Sequence, residues 1–165
     1  MKVSELMAGY TPEPGFTGVE TADQWVAAFE IGEATSPGDY IVVEGGITAV
    51  TPTFNPTTSD KQYLRKGNVS TKTGNQLILA IEGDTTQGDD FQAHCMNADV
   101  AFGVGEEVAG HYVYFSLNTG KGYQGNGMLI VNNFGGGTAG ENAPFSAEIR
   151  STERPQEYTY SAEEA

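Results

Sequence analysis

The chain has 165 residues, of which 22 are acidic and 8 basic, for a net charge of −14. That length suits one domain with a core that stands without disulfide or metal, and the sign of the charge argues against a nucleic-acid-binding surface, which needs clustered Lys and Arg. A lone cysteine, Cys95, excludes an intrachain disulfide and fits a reducing compartment.

The 22 glycines, with many Thr and Val, point to strands and turns rather than long helices. No apolar run approaches the ~18 residues of a membrane span. The start, "MKVSELMAGYTPEPG", lacks the apolar segment of a secretory leader. Residues 1 to about 20 carry Gly9, Pro12, Pro14 and Gly15 without periodicity and predict an extended arm. In "DQWVAAFEIGE", Trp25, Ala27, Phe29 and Ile31 alternate as in a strand, although Ala27-Ala28 also suits a helical turn. "ATSPGD" is a turn. "YIVVEGGITAVTPTF" is a strand region broken by a bulge or kink at Gly45-Gly46.

Asn55-Pro56 then stops the strand. Residues 55–68 predict a long polar loop that holds Tyr63 and Leu64 among Asp60, Lys61, Arg65 and Lys66. In "VSTKTGNQLILAIEGD", Val69, Thr71 and Thr73 share one strand face, and Ser70 and Lys72 the other. "QLILAIE" continues as a buried strand. "TTQGDDFQAHCMNA" is the best helix candidate, capped by Asp89 or Asp90, with Phe91, His94 and Cys95 near one face. "HYVYFSLN" and "MLIVNNF" predict a hairpin joined by the glycine-rich "TGKGYQGNG". "PFSAEIRS" predicts the last clear strand, with Phe145, Ala147 and Ile149 on one side and Ser146, Glu148 and Arg150 on the other. The tail after it reads as an arm or a short docked strand. Seven or eight strands and one short helix predict a mainly β fold, an antiparallel β-sandwich with a flanking short helix.

No catalytic signature emerges. There is no G-x-S-x-G elbow. His94 beside Cys95 lacks the further ligands a metal needs. The Gly-Lys-Gly at 120–122 has Phe115 where a phosphate loop needs glycine. "NNFGGGTAGEN" opens no helix and has no basic partner. The expectation is a non-enzyme without cofactor or metal.

The order of elements from "GGITAVTPTFNPTTSDKQYLRKGNVSTKTGNQLILAIEGDTTQGDDFQAHC" through "HYVYFSLN", "MLIVNNF" and "FSAEI" resembles the tail tube (major tail) proteins of long-tailed bacteriophages and related phage-tail-like particles. The likeness covers about residues 40–150. It implies a single tail-tube domain over 1–165: an N-terminal arm (1–20), a β-sandwich core (21–150), an inter-subunit loop (55–68) and a C-terminal arm (151–165). It implies hexameric rings stacked into a hollow tube, with one sheet of each subunit joining its neighbours into a ring-shaped β-barrel. The implied partners are the chain itself, a tape measure protein in the lumen, tail terminator and distal tail or baseplate proteins, and DNA passing transiently. The implied location is the virion, after synthesis in the host cytoplasm, with no membrane association. The loop residues Asp60, Lys61, Tyr63, Leu64, Arg65 and Lys66 become inter-subunit anchors and rim, and Glu44, Ser70, Lys72 and Glu82 become candidates for the lumen wall. An acidic wall would repel phosphate and let DNA slide. The competing expectation is a carbohydrate-binding or adhesin-like β-sandwich that uses Tyr112, Tyr114 and Tyr123 as sugar platforms.

Overall fold

A computed structural model describes residues 1–161. Ten strands and three short α-helices are present among them: α1 (Val3–Met7), β1 (Trp25–Phe29), β2 (Ile41–Val42), β3 (Ile47–Thr53), β4 (Thr57–Tyr63), β5 (Gly67–Gly74), β6 (Ile78–Asp84), α2 (Asp90–Met96), α3 (Ala98–Ala101), β7 (Ala109–Ser116), β8 (Lys121–Phe134), β9 (Pro144–Ser151) and β10 (Gln156–Thr159). As expected, the fold is mainly β and antiparallel. One sheet in the order β2-β1-β7-β8-β9-β6-β3, with β10 also paired to β8, curls into a half-barrel flanked by the short helices.

Two apolar clusters hold it. The larger fills the concave side: Phe29 from β1, Tyr112 from β7, Leu129 from β8, Ile149 from β9 and Leu79 and Ile81 from β6 meet Phe91 and Cys95 of α2. The alternation in "PFSAEIRS" does what its period requires, burying Phe145, Ala147 and Ile149 in this cluster. The smaller cluster lies on the other face of β1 and β7. There Val26, Ala28, Val113 and Phe115 pack against Val3 and Met7 of α1 and against Tyr158 of β10. With both faces covered, β1 carries apolar residues at successive positions, so "WVAAF" lacks the polar positions of a half-exposed strand.

Helix α2 starts where Asp89 accepts a hydrogen bond from the Gln92 amide at 3.0 Å. Gln92 itself is fully buried. Its side chain accepts from the Thr86 amide (2.8 Å) and donates to the carbonyls of Gly45 (2.8 Å) and Asp84 (2.9 Å). This fastens the helix to two neighbouring connections. The chain bends at Gly46, whose φ of 71° favours glycine, and a bulge follows between Ile47 and Ala49.

Several expectations are corrected. Residues 1–20 are not wholly an extended arm, because α1 buries Val3 and Met7. "TGKGYQGNG" is not a connection: from Lys121 onward it is the first half of the fourteen-residue strand β8. Its glycines suit close packing, since a Cβ on Gly122 would lie 2.0 Å from the Tyr114 carbonyl oxygen. Of the two readings of the tail, the short docked strand is the one present: β10 pairs with β8 from Gln156↔Gln124 to Thr159↔Lys121, and the expected arm boundary at 151 falls inside β9. Residues 162–165 lie outside the described residues.

Candidate assembly interface

The expected loop over 55–68 is a β-hairpin. Strands β4 and β5 pair only with each other, from Thr57↔Gly74 to Tyr63↔Gly67. They continue the β3/β6 ladder beyond the sheet, after the break at 54–56 where Asn55 takes a φ of 43°. Seven residues at ~3.3 Å each carry this arm about 23 Å out. The turn closes at Gly67, with φ of 70°.

Both faces of the arm are exposed. Register puts Thr58, Asp60, Gln62, Asn68, Ser70 and Lys72 on one face, all polar. Lys61, Tyr63 and Val69 share the other, and Leu64 stands at the tip. Tyr63 is 51% exposed and Leu64 wholly so. Ser70 and Lys72 do share one strand face and Val69, Thr71 and Thr73 the other, but neither face has a core beneath it. An isolated two-stranded hairpin is marginal in water. This one is braced internally by Ser70 Oγ donating to Asp60 Oδ1 (2.6 Å) and by the Thr57 and Thr73 hydroxyls 3.0 Å apart.

The remaining candidates for the lumen wall separate. Glu82 lies in β6 on the convex face of the sheet, exposed, in a row with Ala49 of β3 and Ser146 of β9. Glu44 is exposed but sits in the β2–β3 connection rather than in a strand. The convex face over β3, β6, β9 and the second half of β8 is covered by neither cluster. It presents Thr51, Thr53, Ala80, Ile130, Glu148 and Arg150. Arg150 donates to Glu148 at 3.1 Å, which neutralises that pair locally. Glu148 and Arg150 were legible as the polar side of "PFSAEIRS". Their row-mates on β3 and β6 were not, because pairing register is a long-range property.

The sites considered for chemistry are structural. Cys95 is fully buried, and burial, with Asp89 nearby, pushes its thiol up to about 12, so it stays protonated. Burial also lowers the pKa of His94, whose ring packs 6.4 Å from that of Phe29. Among the described residues no cluster of His, Cys, Asp or Glu could hold a metal, and no helix is long and apolar enough to cross a membrane. Tyr112 is 1% exposed, and Tyr114 stacks on Trp25 with ring centroids 5.1 Å apart. Of the three expected sugar platforms, only Tyr123 is open.

Superposition on solved structures gives a match to a chain described as the tail of an empty GTA particle, a phage-like gene transfer agent, computed with helical refinement and C6 symmetry. The TM-score is 0.61, over 86% of this chain and 100% of that one, at 17% identity. This chain has the fold of a phage-like tail protein. No family model and no curated protein matches it. Among the described residues, the hairpin and the convex face over β3, β6 and β9 are covered by neither apolar cluster.

Proposed function

We propose that this protein is the repeating subunit of a tail tube in a phage or phage-like particle. Six copies form a ring, rings stack into a hollow tube, and the uncovered convex face, with Glu82 on it, lines the bore. The observation that carries this reading is the freestanding hairpin on a tail-protein fold: an arm of about 23 Å that pairs with no other strand among the described residues is stable and useful once it lies on another copy. The outer edge of β3 supports it too. Among the described residues that edge has no strand partner, and an open edge is a template for pairing that ring closure would satisfy. The C6 symmetry belongs to the neighbour's tail, and the six copies proposed here are taken by likeness to it.

On this reading the subunit has no enzymatic role. A tape measure protein occupies the bore before DNA does, and terminator and distal tail proteins close the two ends. The subunit is made in the host cytoplasm and ends in the virion. DNA moves through without specific contacts, because the open face offers carboxylates and hydroxyls while its Arg150 is engaged by Glu148. Negative-stain microscopy of purified protein tests the reading. Rings or tubes of constant diameter are expected; a persistent monomer at high concentration, alone and with other tail components, overturns it.

A further inference from the structure

The sheet forks at one point. The ladder between β6 and β9 closes where the Leu77 carbonyl accepts from the Ser151 amide at 2.9 Å and Gln76 Nε2 donates to the Ser151 carbonyl at 3.0 Å. Traced past that point, β6 leads back to β5 of the hairpin, and β9 leads through 152–155 to β10. Strand β5 pairs with β4 and β10 with β8, so the two arms of the fork do not pair with each other. Between them lies a cleft of about 630 Å³. It is lined by buried Leu77, by Phe54 and Tyr123 (49% and 41% exposed), and by Lys72, Arg154 and Glu157. The cleft thus holds two of the chain's eight basic residues, and neither makes an ion pair with a described residue.

A second surface has the opposite make-up. Phe102 and Val104 are 84% and 77% exposed, with Asp99, Glu106 and Glu107 close by in the chain. No Lys or Arg occurs between Lys72 and Lys121 to offset those acids locally. The knob has a fixed shape: the Val104 amide donates to Glu107 Oε2 at 3.4 Å, and a Cβ on Gly103 would fall 1.9 Å from the Asp99 carbonyl oxygen. An apolar pair this exposed, flanked by one sign of charge, has the composition of an interface.

Register sets cleft and knob at one level. Thr53, Ile78, Arg150, Met128 and Ala109 are successive partners in a single row across β3, β6, β9, β8 and β7. Phe54 of the cleft follows the first of them, and Val108, at the end of the knob segment, precedes the last. The knob leads into β7 on one side of β8, and the cleft opens beside β10 on the other. The two surfaces are therefore displaced across the strands rather than along them, and a chain does not seat its own knob.

We infer that the Phe102–Val104 knob of one copy seats in the cleft of its neighbour in the same ring. Phe102 and Val104 meet Phe54, Leu77 and Tyr123, while Asp99 and Glu106 meet Lys72 and Arg154. The occupant is a second copy because each surface carries the charge that the other lacks. It is a neighbour in the ring because copies in a ring repeat across the sheet. The contact joins two different patches, so it passes from copy to copy until the rotation closes. With charges at its rim, it weakens as salt rises.

This contact presupposes the tube reading, and the experiment separates the two. Three variants of the full chain are compared with wild type by sedimentation and microscopy: K72E/R154E, D99K/E106K, and all four changes together. Glu107 is left in place because it holds the Val104 amide. Melting temperatures of the monomers confirm that each variant is folded. Each single-side variant is expected to need at least tenfold more protein than wild type to form rings, and the four-change variant to recover them because attraction returns with its sign exchanged. In parallel, a chain carrying Asn75→Cys and Val104→Cys, with buried Cys95 left in place, is assembled and oxidised. A cross-linked ladder that rises from dimer and stops at the hexamer is expected. Ring formation by D99K/E106K at wild-type concentration, no recovery in the four-change variant, or a ladder that stops at dimer or runs past the hexamer overturns the knob-in-cleft contact while leaving the tube reading intact. Wild-type protein that forms neither rings nor tubes removes both.

Discussion

The Ser70 hydroxyl donates to the Asp60 carboxylate across the hairpin, 2.6 Å away, in an arm that pairs with no other strand among the described residues. Side chains of this kind hold a shape in readiness without adding a core beneath it. The arm's own contribution to monomer stability is therefore small, and its surface is free for a partner.

Tyr63→Ala with Leu64→Ala removes the exposed apolar tip. Exposed substitutions away from caps and buried networks shift stability by less than about 0.5 kcal/mol. Thermal unfolding of the monomer should be unchanged while polymerisation stops. Tubes of normal length from this double variant would discard the tip as an anchor.

Gln92→Ala removes three hydrogen bonds in one step. It leaves the Thr86 amide and the carbonyls of Gly45 and Asp84 without their buried partner. An orphaned buried polar group costs roughly 1–3 kcal/mol, and three that share a site and partly reach water should cost about 3 kcal/mol together. Chemical denaturation should report that loss with little change in the far-ultraviolet spectrum.

Glu20 accepts hydrogen bonds from the Ser116 hydroxyl and from Asn118 Nδ2, and these hold its carboxyl below the ordinary value of 4.5. A carboxyl whose folded pKa is depressed adds stability that is full above its unfolded pKa and is lost as pH falls through the folded one. Glu20→Gln should therefore be less stable than wild type near neutrality, and the gap should shrink as pH drops below about 4.5. Melting temperatures from pH 7 down to pH 3 check the sign. A gap that widens in acid contradicts it.

Cys95 offers a label for unfolding. With its thiol buried and pushed up to about 12, it should resist alkylation in the native protein and react only when the larger cluster opens. Mass spectrometry after timed exposure to a maleimide measures this directly. Rapid labelling without denaturant would show that α2 detaches readily.

Glu82→Lys places a cation on the uncovered convex face without touching either cluster. Tubes should assemble as before but retain short duplex DNA at low salt, an effect that fades as salt rises. Equal retention by wild type and variant would detach the acidic face from the passage of DNA.

Local periodicity made much of this fold readable. "PFSAEIRS" alternates, so its buried side follows from the pleat, and Asp89 before an apolar triplet marks the start of α2. What escaped depended on partners far away in sequence. "SDKQY" and "VSTKT" look like loop and half-buried strand because hairpins are normally signalled by one apolar face, and this arm has none. The glycines of "GKGYQGNG" suggest a connection, yet they form a strand: a Cβ on Gly122, opposite Phe115, would meet the Tyr114 carbonyl at 2.0 Å, and one on Gly127 would press on the Tyr112 ring at 3.0 Å. The exposed tip was legible as an anomaly, Tyr63 and Leu64 among charges. The exposure of Phe102 and Val104 was not, since it is visible only in three dimensions.

The smaller apolar cluster draws Val3 and Met7 from one end of the described chain and Tyr158 from the other, around Val113 and Phe115 in the middle. During synthesis, α1 leaves the ribosome early and must wait for β7 and then β10 before its apolar side is covered. The larger cluster uses nothing beyond Ile149 and can consolidate first. Closing the smaller cluster thus waits on β10, and a chain released before that strand would keep a formed half-barrel with one face left unsealed.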